Sequence, residues 1–327
     1  MRQSPSSAAW LPLALVAVCA APAAGQSDPV AGGAAFLLLP VGARATALGQ
    51  AGVADAGSGE AAFWNPAGLA TLPAGEFGVQ YASTFVSNNT ALTLFAASRR
   101  LGTAGITAYL VDYGSQDVEL PGGGLPTGKV SPKNIQLTAS YATELGGAVA
   151  LGVSYKLIQF RQDCQGDCGT LRDVAGTTHA VDVGAQVTIG AHDAFRLGVA
   201  LQHAGFALQL ENRDQADPLP TKVALGAAYQ LPLQAMGAGK AVDARVLVDV
   251  QDQWGEYGSP DARMGVEVGY DGTAFVRAGY AFLASNSGGA SLGLGLRLQR
   301  ISVDLARVFY QTGPFDDPVY VGLRILL

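Results

Sequence analysis

The chain is poor in the residues that most catalytic and metal chemistry requires. Its 327 residues include only three histidines and three cysteines. His179, His192 and His203 are scattered, and none has a serine or aspartate placed for a nucleophile–base or Asp–His constellation. That speaks against an enzyme. Cys164 and Cys168, in "CQGDC", have no histidine nearby and no second cysteine pair, so a zinc site is not expected and no cofactor is implied. Only 14% of residues are charged and the net charge is −6 without a basic patch, which argues against a nucleic-acid partner. Beyond the N-terminus no apolar run reaches the roughly 18–20 residues of a membrane helix. The glycine-rich "LPGGGLPTG" at 120–128 is followed by no strand–Lys–Ser/Thr–helix context. It therefore reads as a surface loop rather than a phosphate cradle.

What is present begins with a leader. Arg2 precedes the apolar stretch "AAWLPLALVAVCA" (Ala8–Ala20), and "APAAGQ" offers small-residue cleavage sites between about Ala23 and Gln26. This reads as a signal peptide over 1–25, too short to span a bilayer. A lipoprotein anchor at Cys19 is the alternative, although Val18 fits a lipobox poorly. After cleavage Cys164 and Cys168 are the only cysteines, and an oxidising compartment favours a disulfide between them.

The remainder reads as strands. "ASLGLGLRLQ" sets Leu292, Leu294, Leu296 and Leu298 on one face and Ser291, Gly293, Gly295, Arg297 and Gln299 on the other. "ARMGVEVGY" and "HAVDVGAQVTI" alternate in the same way. Side chains point to opposite faces along a strand, so each segment has an apolar face and a glycine-rich or polar one. A soluble sandwich would carry more Lys and Glu on the second face; Gly, Ser and Thr suit a crowded lumen. Fourteen such segments lie near 76–85, 90–99, 103–113, 133–144, 147–159, 179–189, 195–209, 222–230, 241–251, 263–270, 273–282, 291–299, 301–310 and 318–327. Most approach the roughly 9–11 residues that cross a bilayer at a tilt. Connections alternate between tight turns, such as 271–272 and 299–300, and longer loops, including 114–132 and 160–178. Unequal rims are the pattern of outer-membrane barrels. The last strand, "YVGLRILL", resembles the closing signal read by barrel-assembly machinery, with aliphatic Ile325 and Leu327 where aromatics are usual.

Residues 28–75 precede the first strand and hold 14 alanines, 9 glycines and only four charges, Asp28, Arg44, Asp55 and Glu60. That is too apolar for a solvated linker. "GARATALGQAG" reads as a short helix stopped by glycines. Asn65 reads as an N-cap with Pro66 at the first helical position. A fourteen-stranded barrel is too wide to fill with its own side chains. The expected architecture is therefore all-β: an antiparallel transmembrane barrel of about 14 strands over 76–327, with a short, partly helical N-terminal hatch (26–75) in its lumen. A periplasmic cap or a soluble subdomain is the other placement for that segment.

Within it, "GAR" (Gly42–Arg44), "LGQAGVA" (Leu48–Ala54) and "FWNPAGLA" (Phe63–Ala70) resemble the N-terminal signature of the PorV/PorQ family, among the FadL-like outer-membrane transport proteins. Gly42, Arg44, Gly49, Trp64, Asn65, Pro66 and Gly68 carry the likeness. The resemblance implies a barrel with a lumenal hatch. It also implies either a binding and scaffold role in type IX-like protein secretion and surface attachment, or FadL-like passage of small hydrophobic molecules. A purely structural membrane protein is the third reading. The expected partners are outer-membrane lipid, secretion-system proteins or cargo, or a hydrophobic ligand. If apolar faces look outward, Arg263, Glu267, Arg277, Arg297, Asp304 and Arg324 point into the lumen. There they are expected to pair with one another or with Asp55 and Glu60. Arg307 falls on the lipid face, where a bulge or a lipid-head contact is expected.

Overall fold

The alternation of apolar with small or polar residues draws the chain into one antiparallel sheet. In the computed structural model the described residues are 34–98, 100–119, 126–169, 171, 173–190, 194–209, 216–233, 241–255, 257–284, 288–310 and 317–327. The expected leader with its cleavage region, Cys19, His192 and positions 120–125 of the glycine-rich stretch lie outside them. The strands are β1 (Glu76–Ser83), β2 (Asn88–Ser98), β3 (Gly102–Asp112), β4 (Gln116–Val118), β5 (Gly128–Leu145), β6 (Val149–Gly166), β7 (Val174–Ile189), β8 (Phe195–Gly205), β9 (Lys222–Leu231), β10 (Val242–Gln253), β11 (Asp261–Tyr270), β12 (Ala274–Phe282), β13 (Gly289–Leu298), β14 (Ile301–Tyr310) and β15 (Val319–Leu326). β1 pairs with β15, Glu76 opposite Leu326 and Ser83 opposite Val319, and this closes the ring. β4 continues the position of β3 along the outer end of β5, so fourteen strands make the circuit.

The faces divide as the pattern requires. Leu292, Leu294 and Leu296 are 54–60% exposed on the outside, while Ser291 between them and the rim is buried within. In a bilayer acyl chains cover the outer face. Asp271 and Gly272 both have positive φ, 53° and 61°, which is the geometry of a tight hairpin turn.

Three expectations need correction. First, 114–132 and 160–178 are not simply loops: β5 and β6 run for 18 residues each, and β7 begins at Val174. At roughly 3.4 Å per residue these strands are about 60 Å long, so their ladder stands well beyond the span a bilayer needs. The extension was invisible to apolar periodicity because no lipid face is required there; Gln159, Arg161 and Asp163 continue the outward row that holds Leu151, Val153, Tyr155 and Leu157 lower down. Cys164 and Cys168 are bonded at its tip, with Cα atoms 6.3 Å apart. Second, β14 has no bulge at Arg307. Its register is continuous, and Arg307 reaches Asp317 at 3.1 Å and lies over Phe309. Third, His179 is inside β7 rather than at its end, bonded to the Tyr155 hydroxyl at 2.5 Å.

The N-terminal segment forms four short pieces: a 3-10 turn (Ala35–Leu38), α1 (Ala43–Ala47), α2 (Ala61–Trp64) and a second 3-10 turn (Pro66–Thr71). They lie against inward side chains of the ring. Phe36, Leu37 and Val41 cluster with Tyr109, Val111, Ile158 and Leu219. Ala43 and Ala47 meet Ala306, Val308 and Tyr320.

Candidate functional site

The N-terminal segment meets the barrel wall along a track of glycines. A Cβ on Gly152, Gly184, Gly198, Gly226, Gly265, Gly279 or Gly293 would lie within 1.9–2.8 Å of an atom of residues 47–67. These glycines sit on seven different strands, β6 to β9 and β11 to β13, and all face inward. Removing the side chain lets backbone approach backbone, which is the usual reason for glycine inside a strand.

Asn65 occupies the centre of this contact and is wholly buried. Its Oδ1 accepts from the Ala67 N–H at 3.0 Å, capping the turn that starts at Pro66. Its Nδ2 donates to the Val53 carbonyl at 2.8 Å and reaches the Ala185 and Val199 carbonyls of β7 and β8 at 3.3 Å. Gly184 faces Asn65, and Gly152 faces the Pro66–Ala67 peptide. Trp64 donates from Nε1 to the Val41 carbonyl at 3.0 Å, and the Arg263 guanidinium lies 5.9 Å from its ring. Gly68 touches the Asp55 carbonyl side, and Gly49 fits between Met264 and Tyr280 with φ +65°. Gly42 has φ +95°, and any Cβ there would strike the Glu60 carboxylate.

The lumenal charges gather beside α1. Arg44 bonds Asp55 and, through Nε at 3.1 Å, Glu267. Glu267 also accepts from Arg245 at 2.7 Å and from Arg277 at 2.6 Å. Arg277 continues to Asp304 at 2.7 Å, and Arg324 reaches Asp304 at 2.9 Å and Glu76 at 3.8 Å. Burial disfavours the charge on Arg44, yet Asp55 and Glu267 hold it well above its ordinary value. Burial likewise works against the Asp55 carboxylate, but Arg44 and Arg245 keep it below the usual range. Glu60 differs. Burial pushes it up to about 7 despite Arg324, and its Oε2 accepts from the Ala45 N–H at 3.0 Å.

Of the six lumenal charges expected from the pattern, four join this network. Arg263 pairs instead with Asp261 at 3.6 Å. Arg297 stacks on Phe275 at 5.2 Å and lines a cavity of about 260 Å³ with Arg245 and Asp243, beneath Ala56–Ser58. Several residues that hold the segment were not singled out from sequence. Gln186 donates to the Val53 and Asp55 carbonyls at 2.9 and 2.8 Å, and Asp249 accepts from the Val53 N–H at 2.8 Å. Gln202 donates to the Phe63 carbonyl at 2.9 Å, and Glu76 accepts from the Gly59 N–H at 2.8 Å. Their only sequence signal is a polar residue at an inward strand position.

Residues 23–246 match the family described as type IX secretion system protein PorV. The chain belongs to that family. The match takes in the N-terminal segment and β1 to β9 with part of β10. No curated protein matches the sequence. Among solved structures, the Pseudomonas putida toluene transporter TodX is similar over 88% of this chain and 98% of its own, with a TM-score of 0.59 and 11% identity. The CymD monoaromatic hydrocarbon channel is similar over 89% and 98%, at 0.58 and 12%. A Pseudomonas aeruginosa FadL homologue is similar over 88% and 97%, at 0.51 and 13%. At such identities the likeness is one of fold. Together with the family it indicates the outer membrane.

Proposed function

We propose that this PorV-family barrel is a binding and scaffold component of protein export or surface attachment, with residues 26–75 as a hatch seated in its lumen. The chain reaches the outer membrane after removal of residues 1–25. The observation that carries the reading is the seat itself. The residues of the family signature are held by side-chain bonds to several strands, by a buried ion network and by a glycine track cut to their backbone. A filler fixed this firmly suits a protein that binds at its outer surface better than one that conducts continuously. The long outer ends of β5, β6 and β7 offer that surface. The reading involves no catalytic step.

A second reading, passage of a small hydrophobic molecule, is favoured by the apolar cluster of Phe36, Leu37, Val41, Tyr109 and Val111 at the outer end of the lumen. A pull-down from gently solubilised outer membranes separates the two. Secretion-system proteins or exported cargo recovered with the barrel support the scaffold. A barrel recovered alone with bound lipid or hydrocarbon overturns it in favour of the channel. Deleting residues 28–72 tests the hatch. The expected product is an assembled barrel that admits small solutes in liposome swelling; an assembled, impermeable and fully functional barrel places the segment's role elsewhere.

A further inference from the structure

We propose that a small cavity beside Lys222, between hatch and wall, is a binding site for a monovalent anion of chloride size. Lys222 opens β9 and points inward, and its side chain is more than nine-tenths buried. Among the described residues no carboxylate lies within ion-pair distance of it and no hydrogen bond reaches it. It lines a cavity of about 20 Å³ together with Lys156, His203 and Gln136 of the wall and Leu37 and Trp64 of the hatch.

The charges around the cavity leave a remainder. Lys156 Nζ is 2.6 Å from Asp182 and 3.1 Å from His203 Nδ1. Asp182 Oδ1 accepts the His203 N–H at 2.8 Å, so both oxygens of this carboxylate are committed. With the Arg263–Asp261 pair nearby, three cations thus share two carboxylates, and Lys222 is the cation left without an ion pair. A buried charge without a partner is strongly disfavoured; such a group either gives up its proton or takes a counter-ion. The geometry favours the counter-ion. The hatch wall beside Lys222 is largely aliphatic and aromatic, and the space suits one small ion. Chloride and formate are small enough to enter; gluconate is not. An anion there touches the wall through Lys222 and the hatch through Leu37 and Trp64, so it favours the seated hatch. This site lies apart from the Arg44 network and does not depend on the function proposed above.

The test uses the mature protein in detergent, with hydrogen-exchange protection of the hatch amides as the readout. Sodium chloride or formate is exchanged for sodium gluconate at equal ionic strength, in the wild type and in Lys222→Met. The expected result is stronger hatch protection in chloride and formate for the wild type and no anion dependence for the variant. Wild-type protection that does not differ between anions, or an equal difference in both proteins, overturns the site and leaves Lys222 a neutral amine. Should Lys222→Met not assemble, wild-type crystals soaked in bromide decide. An anomalous peak beside Lys222 Nζ supports the site, and its absence overturns it.

Discussion

Replacing Gly184 by alanine separates the hatch from the barrel as folding units. The new Cβ would stand 1.9 Å from Oδ1 of the Asn65 side chain. Asn65 is itself tied to the Ala67 amide and to three carbonyls, so the whole turn at Pro66 has to back away. The lost cap is worth about 1 kcal/mol. Leaving the Asn65 amide buried without its acceptors costs roughly 1–3 kcal/mol more. Seating of the hatch should therefore weaken by about 2–4 kcal/mol. The ladder of β7 is untouched, since alanine is tolerated in a strand and Gly184 pairs through its backbone with Gly152 and Ala200. Hydrogen exchange measured by mass spectrometry reads the hatch, and heat-modifiable migration reads the barrel. Amides of residues 42–72 that open with the hatch should lose roughly 30- to 700-fold of their protection, at 1.4 kcal/mol per tenfold. The barrel midpoint should stay where it is. Val183→Ala, on the lipid face of the same strand, is the control. Equal exchange in the two variants would falsify the seat as described.

Glu267→Gln leaves Arg44, Arg245 and Arg277 short of a shared buried carboxylate and is expected to cost about 3–5 kcal/mol, read as lost hatch protection and a lower midpoint; an unchanged midpoint counts against the network. Glu60 has a seated value of about 7 against an ordinary 4.5, so the seated state holds the extra proton between those values. The Glu60 contribution to seating should be greatest near pH 4.5, weaken as pH rises toward 7 by about 3 kcal/mol in all, and level off above, with Glu60→Gln lacking that part of the fall; a fall in hatch protection with pH that is as large in Glu60→Gln as in the wild type would refute this. Reducing Cys164–Cys168 should leave the barrel midpoint unchanged and loosen only the outer tip of β5 and β6, because the closed loop is shorter than the 15 residues worth about 3 kcal/mol; a falling midpoint would show that the tip braces the barrel.

The strands were legible because lipid imposes a simple rule on them. Leu292, Leu294 and Leu296 announce β13 by period alone, and the Asp271–Gly272 pair marks the turn before β12. That rule stops where the lipid stops, which is why the outer ends of β5 and β6 were read as loop. The segment's short helices were also legible, since Asn65–Pro66 carries its own cap chemistry. Its partners were not. Gln186, Gln202 and Asp249 look like any inward polar residue until the hatch is laid across them. Arg297 and Arg277 are alike in sequence terms, yet one faces an open cavity and the other completes an ion network. Periodicity assigns a side chain to a face, whereas pairing depends on where along the lumen each strand's stagger sets it.

The inward glycines had a second meaning that the pattern alone concealed. Glycine, serine and threonine on the lumen face read as a sign of crowding, without saying what crowds. A fourteen-stranded ring encloses more space than its own side chains fill, so an unplugged barrel has no steric reason for glycine at these positions. Yet Gly198, Gly265 and Gly279 are spaces into which the backbone of Val53, Leu48 and Gly49 fits at less than a side chain's distance. Larger residues there would narrow the lumen and expel the segment. The wall is therefore shaped to its occupant over about half of its circumference, and a change in hatch backbone geometry has to be matched on several strands at once. It follows that the hatch sequence cannot drift independently of the barrel: "GAR", "LGQAG" and "WNPAG" are constrained by strands that lie far along the chain.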